Sequence, residues 1–71
     1  MEKKIVIKIK DLLVKNDISL RELSRLTDIR HATLSELSNH KRENINFKHI
    51  EKIAEALKID DIREIIDLVS K

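Results

Sequence analysis

The stretch that decides the fold is Ser24–Asn39, "SRLTDIRHATLSELSN". Leu23 and Leu26 precede a polar break at Thr27-Asp28, and Leu34 and Leu37 recur at i and i+3 beyond it. That pattern predicts two short helices joined by a tight corner at Thr27-Asp28-Ile29. Such corners usually take glycine, because one residue must adopt a left-handed conformation. The chain has no glycine at all. Aspartate tolerates left-handed geometry better than most residues, so Asp28 is the expected turn residue.

Working outward, the first of the two helices has a clear start. Ser19 and Glu22 have capping-box spacing, and Ile18 and Leu23 have the spacing of a hydrophobic staple. Leu20, Leu23 and Leu26 are expected to face the core, with the helix ending near Thr27. The second helix runs from about His31 to Ser38, with Ile29 anchoring its start. Residues 39–46, "NHKRENIN", are a polar connection. Asn46 is a good cap for a fourth helix, with Ile45 and Ile50 as its staple. Phe47, Ile50, Ile53, Ala54 and Leu57 then share one apolar face.

The two ends are less clear-cut. "KIVIKIK", residues 4–10, alternates at period two as an edge strand would, yet Val6, Ile9, Leu12 and Leu13 follow helical spacing. The reading is an extended or frayed start over 1–6, then a helix from about Ile7 to Lys15, broken at Asn16-Asp17. At the other end, Ile59 leads into a fifth helix capped by Asp60 or Asp61, with Ile62, Ile65, Ile66 and Val69 apolar. That helix is apolar on more than one side, so it is either well buried or meets a partner. The fold class expected is all-α: a compact five-helix domain over 1–71.

Composition narrows the function classes. Seventy-one residues make one small domain with a marginal core. There are no cysteines, hence no disulfides and no thiolate zinc site. No apolar run approaches the ~20 residues of a membrane span, and lysines interrupt the N-terminal apolar stretch as no secretory signal would. Phe47 is the one aromatic, too few for stacking single-stranded nucleic acid. His31, His40 and His49 recur every nine residues, which puts them on no shared helical face, so they are read as solvated or DNA-facing and not as metal ligands. No Ser/His/Asp set or carboxylate pair has plausible catalytic spacing, so no enzyme, metal or cofactor is expected. The net charge is +2, unevenly distributed: residues 1–42 carry ten Lys/Arg against six Asp/Glu, and residues 43–71 carry five against seven. A basic working half and an acidic supporting half fit that asymmetry.

Two short helices around a three- or four-residue corner, inside a bundle, is the helix-turn-helix arrangement. In it the second helix enters the DNA major groove and its first residues meet base edges. "SLRELSRLTDIRHATLSEL", residues 19–37, resembles the helix-turn-helix of the Cro and phage-repressor family, also called the xenobiotic-response-element family. The family's usual run is roughly S-x-x-x-L/V-A-x-x-x-G-I/V-S-x-x-T/Y-I/V-S-x-x-x-N-G. Ser19 matches the cap, Leu23-Ser24 the L/V-A step, and Ile29 the apolar residue after the turn. Thr33-Leu34-Ser35 match T-I-S, and Asn39 matches the later Asn. "FKHIEKIAEALKI", from Phe47, resembles the family's fourth helix. No single residue is diagnostic; order and spacing over about residues 7–69 carry the likeness.

The departures are Asp28 for the turn glycine, Arg30 for the serine that usually caps the recognition helix, His40 for the glycine that commonly ends it, and Leu20 where a phosphate-touching Gln is common. Another geometry is expected at His40.

The resemblance implies a lambda-repressor-like DNA-binding domain. Its base-contacting residues would be Arg30, His31, Ala32, Thr33 and Ser35. Arg30 reaches a guanine edge or a phosphate, and Ala32 and Thr33 offer methyl contacts to thymine. Phosphate contacts would come from Ser19, Arg21, Asn39, Lys41, Arg42 and Asn46. Glu36 opposes DNA unless it accepts from cytosine or pairs with a cation. The implied protein is a sequence-specific transcriptional regulator, a repressor, binding a palindromic operator in double-stranded DNA as a homodimer. It would be cytoplasmic, prokaryotic or phage-encoded, with no small-molecule effector and no membrane contact. The alternative is a protein-interaction module, an antitoxin or antirepressor on the same fold; a third reading is non-specific DNA coating.

Overall fold

Four helices and a two-stranded sheet build the domain in the computed structural model, which describes residues 2–41 and 44–70. In chain order they are β1 (Lys3–Ile7), α1 (Ile9–Asn16), α2 (Leu20–Thr27), α3 (His31–Ser38), α4 (Phe47–Leu57), a single 3-10 turn (Ile62–Glu64) and β2 (Ile66–Ser70). The β1 and β2 strands pair antiparallel, with Ile5 opposite Leu68 and Ile7 opposite Ile66, so the two ends of the domain lie side by side.

The all-α, five-helix expectation is therefore corrected at both ends. The alternation in residues 4–10 is a real strand up to Ile7, and α1 starts two residues later than expected. The expected fifth helix is one 3-10 turn followed by a strand. Asp61 does act as its cap, accepting from the Arg63 amide at 2.9 Å. The β-branched residues of "EIIDLVS" lose side-chain freedom in a helix and pack well on a pleated surface. A partner strand then decides between the two conformations, and that partner lies 59 (66 − 7) to 67 (70 − 3) residues away in the sequence.

The core is formed by Ile9, Leu12, Leu23, Ile29, Leu34, Leu37, Ile50, Ile53 and Ile65, drawn from the four α-helices, the corner between α2 and α3, and the residue before β2. Leu20, Ala54 and Leu57 pack against it partly buried, whereas two residues expected alongside them, Leu26 and Phe47, are exposed. Leu26 is 45% exposed, and its place is taken by Thr27, one residue on. Leu23 and Thr27 stand at i and i+4, nearly superposed on the helix, and the Thr27 hydroxyl can be buried because it donates to the Leu23 carbonyl at 2.7 Å. Phe47 is 79% exposed. Helical side chains lean towards the N-terminus, so one in the first turn of α4 overhangs the helix end instead of meeting the core.

Helix starts follow their caps. Ser19 accepts from the Glu22 amide at 3.0 Å, and Asn46 accepts from the Lys48 amide at 2.8 Å. The capping box is half-formed: the Glu22 carboxylate is turned to Arg25, whose Nε lies 3.3 Å away, and that guanidinium pulls the Glu22 pKa down.

Helix ends share one device. Asp17, Asp28, His40 and Lys58 have φ of 52°, 57°, 57° and 56°, so left-handed residues turn the chain after all four helices without a glycine. Asp28 occupies the predicted turn conformation. His40 corrects the expectation of a different geometry: it adopts the glycine-like conformation itself. The turn is closed by two backbone bonds, His40 N–H to Leu37 at 3.2 Å and Lys41 N–H to Glu36 at 2.9 Å, the pattern of a Schellman motif. The imidazole adds a third tie, its Nε2 accepting from the Ile7 amide of β1 at 3.0 Å.

Leu34→Ala is expected to cost about 2–5 kcal/mol, against a total of about 4–10 kcal/mol for a domain this size, so urea unfolding should show a large loss. Val14→Ala, at a position 83% exposed, should stay within about 0.5 kcal/mol of the parent. Lys58→Gly should stabilise by about 0.5–1 kcal/mol, because it relieves a left-handed penalty that exceeds glycine's extra chain entropy. His40→Gly should show no such gain, because it also removes the acceptor for the Ile7 amide. The Arg63 guanidinium and amide hold the Asp61 carboxyl down to about 2 from its ordinary 3.8. A depressed carboxyl pKa contributes stability that is present above the ordinary value and fades as pH falls through the folded one. An NMR titration should find the Asp61 midpoint near 2, and Arg63→Ala should move it back towards 3.8.

Candidate DNA interface

The interface is built around α3. Leu34 and Leu37 bury its inner side completely or nearly so, and Ile29 fastens the chain just before it. The corner that aims α3 is closed by a contact with no obvious sequence signal: the Ser24 hydroxyl donates to the Ile29 carbonyl, spanning the turn over Asp28. Alanine at this position would pack equally well but would leave that carbonyl without this donor.

At 100° per residue, the direction opposite Leu34, Leu37 and buried Ser38 falls on Ala32, Glu36 and Asn39, all exposed. His31 and Ser35 lie on one flank of that line and Thr33 on the other, with Ser35 and Thr33 half-buried. Arg30 is exposed immediately before the helix and makes no side-chain cap bond, so it does not do the work of the serine it replaces. Five expected base-contacting residues thus occupy the start and flanks of one short helix. Glu36 belongs with them on position alone: it is four residues from Ala32, a spacing that could have marked it in the sequence. The eight residues of α3 span about 12 Å, comparable to the width of the major groove, about 12 Å.

The phosphate-contact candidates lie around this helix in different states. Ser19 and Asn46 sit at the starts of α2 and α4, their side-chain oxygens engaged as caps. The first-turn amides of those helices give each start a positive end. Arg21 is exposed on the first turn of α2. Its neighbour Arg25 is committed to Glu22. The Asn39 side chain donates back to the Ser35 carbonyl at 2.9 Å, which ties Ser35 and Asn39 into one unit at the end of α3. Lys41 is exposed just beyond. Arg42 lies outside the described residues. Sequence reasoning missed two residues that hold the interface without facing it, Ser24 and His40.

No helix of the structure is long and apolar enough to cross a membrane. Among the described residues, no three His, Cys, Asp or Glu side chains come together as a metal site. No curated protein and no solved structure matches the chain. A family model does: that of the Cro/C1-type helix-turn-helix DNA-binding domain, over residues 8–71. The match takes in the corner, the exposed face of α3 and the fourth helix together, and the chain belongs to the Cro/C1-type helix-turn-helix DNA-binding family.

Proposed function

We propose that this chain is a sequence-specific transcriptional repressor that lays α3 in the major groove of a palindromic operator as a homodimer. The observation that carries the reading is the division of α3: leucines fully engaged behind, and a polar, exposed row in front that makes no part of the core. Arg30 and His31 at its start supply donors for a guanine edge, and Ala32 and Thr33 supply methyl contacts for thymine. Glu36, central on the outward line, accepts from the N4 amino group of cytosine. A carboxylate there discriminates against guanine and thymine, whose major-groove edges carry only acceptors. Ser35 and Asn39 hold the end of the helix, and Ser19, Arg21, Lys41, Arg42 and Asn46 grip phosphates on either side.

A small domain reads few base pairs, so two copies about one helical turn apart, about 34 Å, are needed for operator-grade specificity. The protein-interaction reading, motivated by the expected apolar fifth helix and by Glu36, loses the helix, which is a turn and a strand, but Ile62 and Leu68 there remain exposed.

Selection from random DNA is expected to return a twofold-symmetric motif with cytosine or guanine in each half-site. Arg30→Ala should weaken binding to the selected site by about tenfold or more, from a bidentate contact of about 1–3 kcal/mol, and relax the preference at one position. Lys41→Ala should weaken all sequences alike and flatten the salt dependence by about 0.9 in log–log slope. Selected pools with no shared motif would sink the sequence-specific reading and leave non-specific coating. A chain that binds no DNA at low salt and is recovered in a stable protein complex would instead favour the interaction module.

A further inference from the structure

The bond between His40 and Ile7 differs in kind from the other ties of the fold. The Lys8 amide donates to the Ile65 carbonyl at 2.7 Å, which makes that rung of the sheet a bonded one. Rungs alternate in an antiparallel pair, so the Ile7 amide, on the next rung against Ile66, points away from β2 and has no acceptor within the sheet. The His40 ring supplies one, with Nε2 at 3.0 Å. A backbone amide can only donate, so Nε2 must accept, and the ring must be neutral with its proton on Nδ1. A second proton on the ring takes the same lone pair and sets N–H against N–H. The bond therefore exists in one protonation state of one side chain.

Placement gives that bond leverage. His40 is itself the left-handed residue that turns the chain after α3, its amide bonded to Leu37 and the next amide to Glu36. The ring also has room to leave. It stands between two cavities of about 490 and 420 Å³, the first walled by Ile5, Leu37 and Ile45 and the second more polar. The residue is exposed, so protons reach it and a charged ring regains water readily. The charged groups around it are Lys4 from β1, Lys8 at the start of α1, Lys10 and Asp11 from α1, and Asp67 from β2. Glu36 and Lys41 lie on its own segment. The Lys8 ammonium is engaged by the Arg63 carbonyl, and the Asp67 carboxylate accepts from the Leu68 amide. Three cations against two carboxylates in the cavities give no net attraction that would hold a charged ring at Ile7. Among the described residues, the Ile7 amide is the ring's one hydrogen-bond partner.

We infer that His40 is a proton-operated latch between α3 and the sheet: a neutral ring holds the end of α3 to β1, and a protonated ring lets it go. The backbone bonds to Leu37 and Glu36 do not involve the ring, so α3 stays helical and only its tether to β1 opens. Histidine is the side-chain type that changes charge between about pH 5 and about pH 8, so the latch works at moderate acidity. Its consequence for DNA rests on the proposed reading of α3. Acid widens the range of poses that α3 takes in the groove and lowers discrimination between an operator and other sequences.

The latch is tested by NMR on the full, isotope-labelled chain without DNA. At about pH 8 a scalar coupling across the N–H···N bond should join the Ile7 and His40 nitrogens, with the ring as its Nδ1–H tautomer. Towards about pH 5 the coupling should vanish in step with the titration of the His40 ring, and not with that of His31 or His49. His40→Gln offers an oxygen that takes up no proton in this window, and its Ile7 amide shift should stay flat. An Nε2–H tautomer in the neutral ring, or a coupling that persists once the ring is charged, would overturn the latch. So would an Ile7 amide that responds to acid equally in the parent and His40→Gln. With DNA, the ratio of selected-site to random-sequence affinity should fall severalfold further on acidification in the parent than in His40→Gln. His31, on the outward flank of α3, is common to both chains and drops out of that comparison. Equal falls in the two chains would overturn the coupling to DNA. A chain that selects no motif removes the operator reading alone, because the latch is measured without DNA.

Discussion

Every helix in this domain leaves through a left-handed residue, and the packing of the whole chain depends on those four turns. Each costs on the order of 1 kcal/mol at a residue other than glycine. The return is geometric. After α1, α2 and α4 the turned residue is followed by Ile18, Ile29 and Ile59, and each turn delivers that isoleucine to the core. Backbone bonds close the same turns, from Ile18 to Leu13 at 3.0 Å and from Ile59 to Ala54 at 2.8 Å. A chain without glycine can afford this because the burial of an isoleucine, about 1.5–3 kcal/mol, exceeds the strain of the residue before it.

The turn at His40 breaks the pattern in an instructive way. No isoleucine follows it. Its compensation is the imidazole bond to Ile7, which joins the end of α3 to the edge of the sheet. The sheet is further fastened by Lys8, whose amide bonds Ile65 and whose ammonium donates to the Arg63 carbonyl at 3.1 Å. The Lys15–Glu64 pair, 2.6 Å but exposed on both sides, adds little to this. A residue that departs from the family's usual glycine thus gains a tertiary role that glycine has no side chain to fill.

Much of this was legible locally. The corner at Asp28, the caps at Ser19 and Asn46 and the extents of α2, α3 and α4 follow from spacing within a few residues. The largest misreading, at the two ends of the chain, has a deciding contact that is distant in sequence. Residues 62–70 have apolar positions that satisfy a helix or a strand, and only β1 settles which. Leu26 and Thr27 differ by one helical step, and a hydroxyl bond to Leu23 reverses the choice that hydrophobicity suggests. Ser24 matched a family position as a small residue, while its hydrogen bond to Ile29 became visible only with the corner closed. Of the candidate interface, the exposed face of α3 was readable, and Glu36 was read as opposing DNA unless it accepts from cytosine or pairs with a cation; its spacing from Ala32 places it on the outward line.

The same contacts make α3 a rigid pointer. Ser24 fixes the turn before it, Leu34 and Leu37 hold its back, and His40 ties its far end to β1. The helix is thereby tied at both ends, to the corner before it and to the edge of the sheet beyond it. The proposed reading of two half-sites requires a fixed α3, because a flexible link between two reading helices would tolerate several spacings and discriminate poorly among them. Rigidity between α3 and β1 matters more here than extra contacts on α3 would, since eight residues can touch few bases however well they fit. The exchange of glycine for histidine at position 40 trades a strain-free turn for that rigidity.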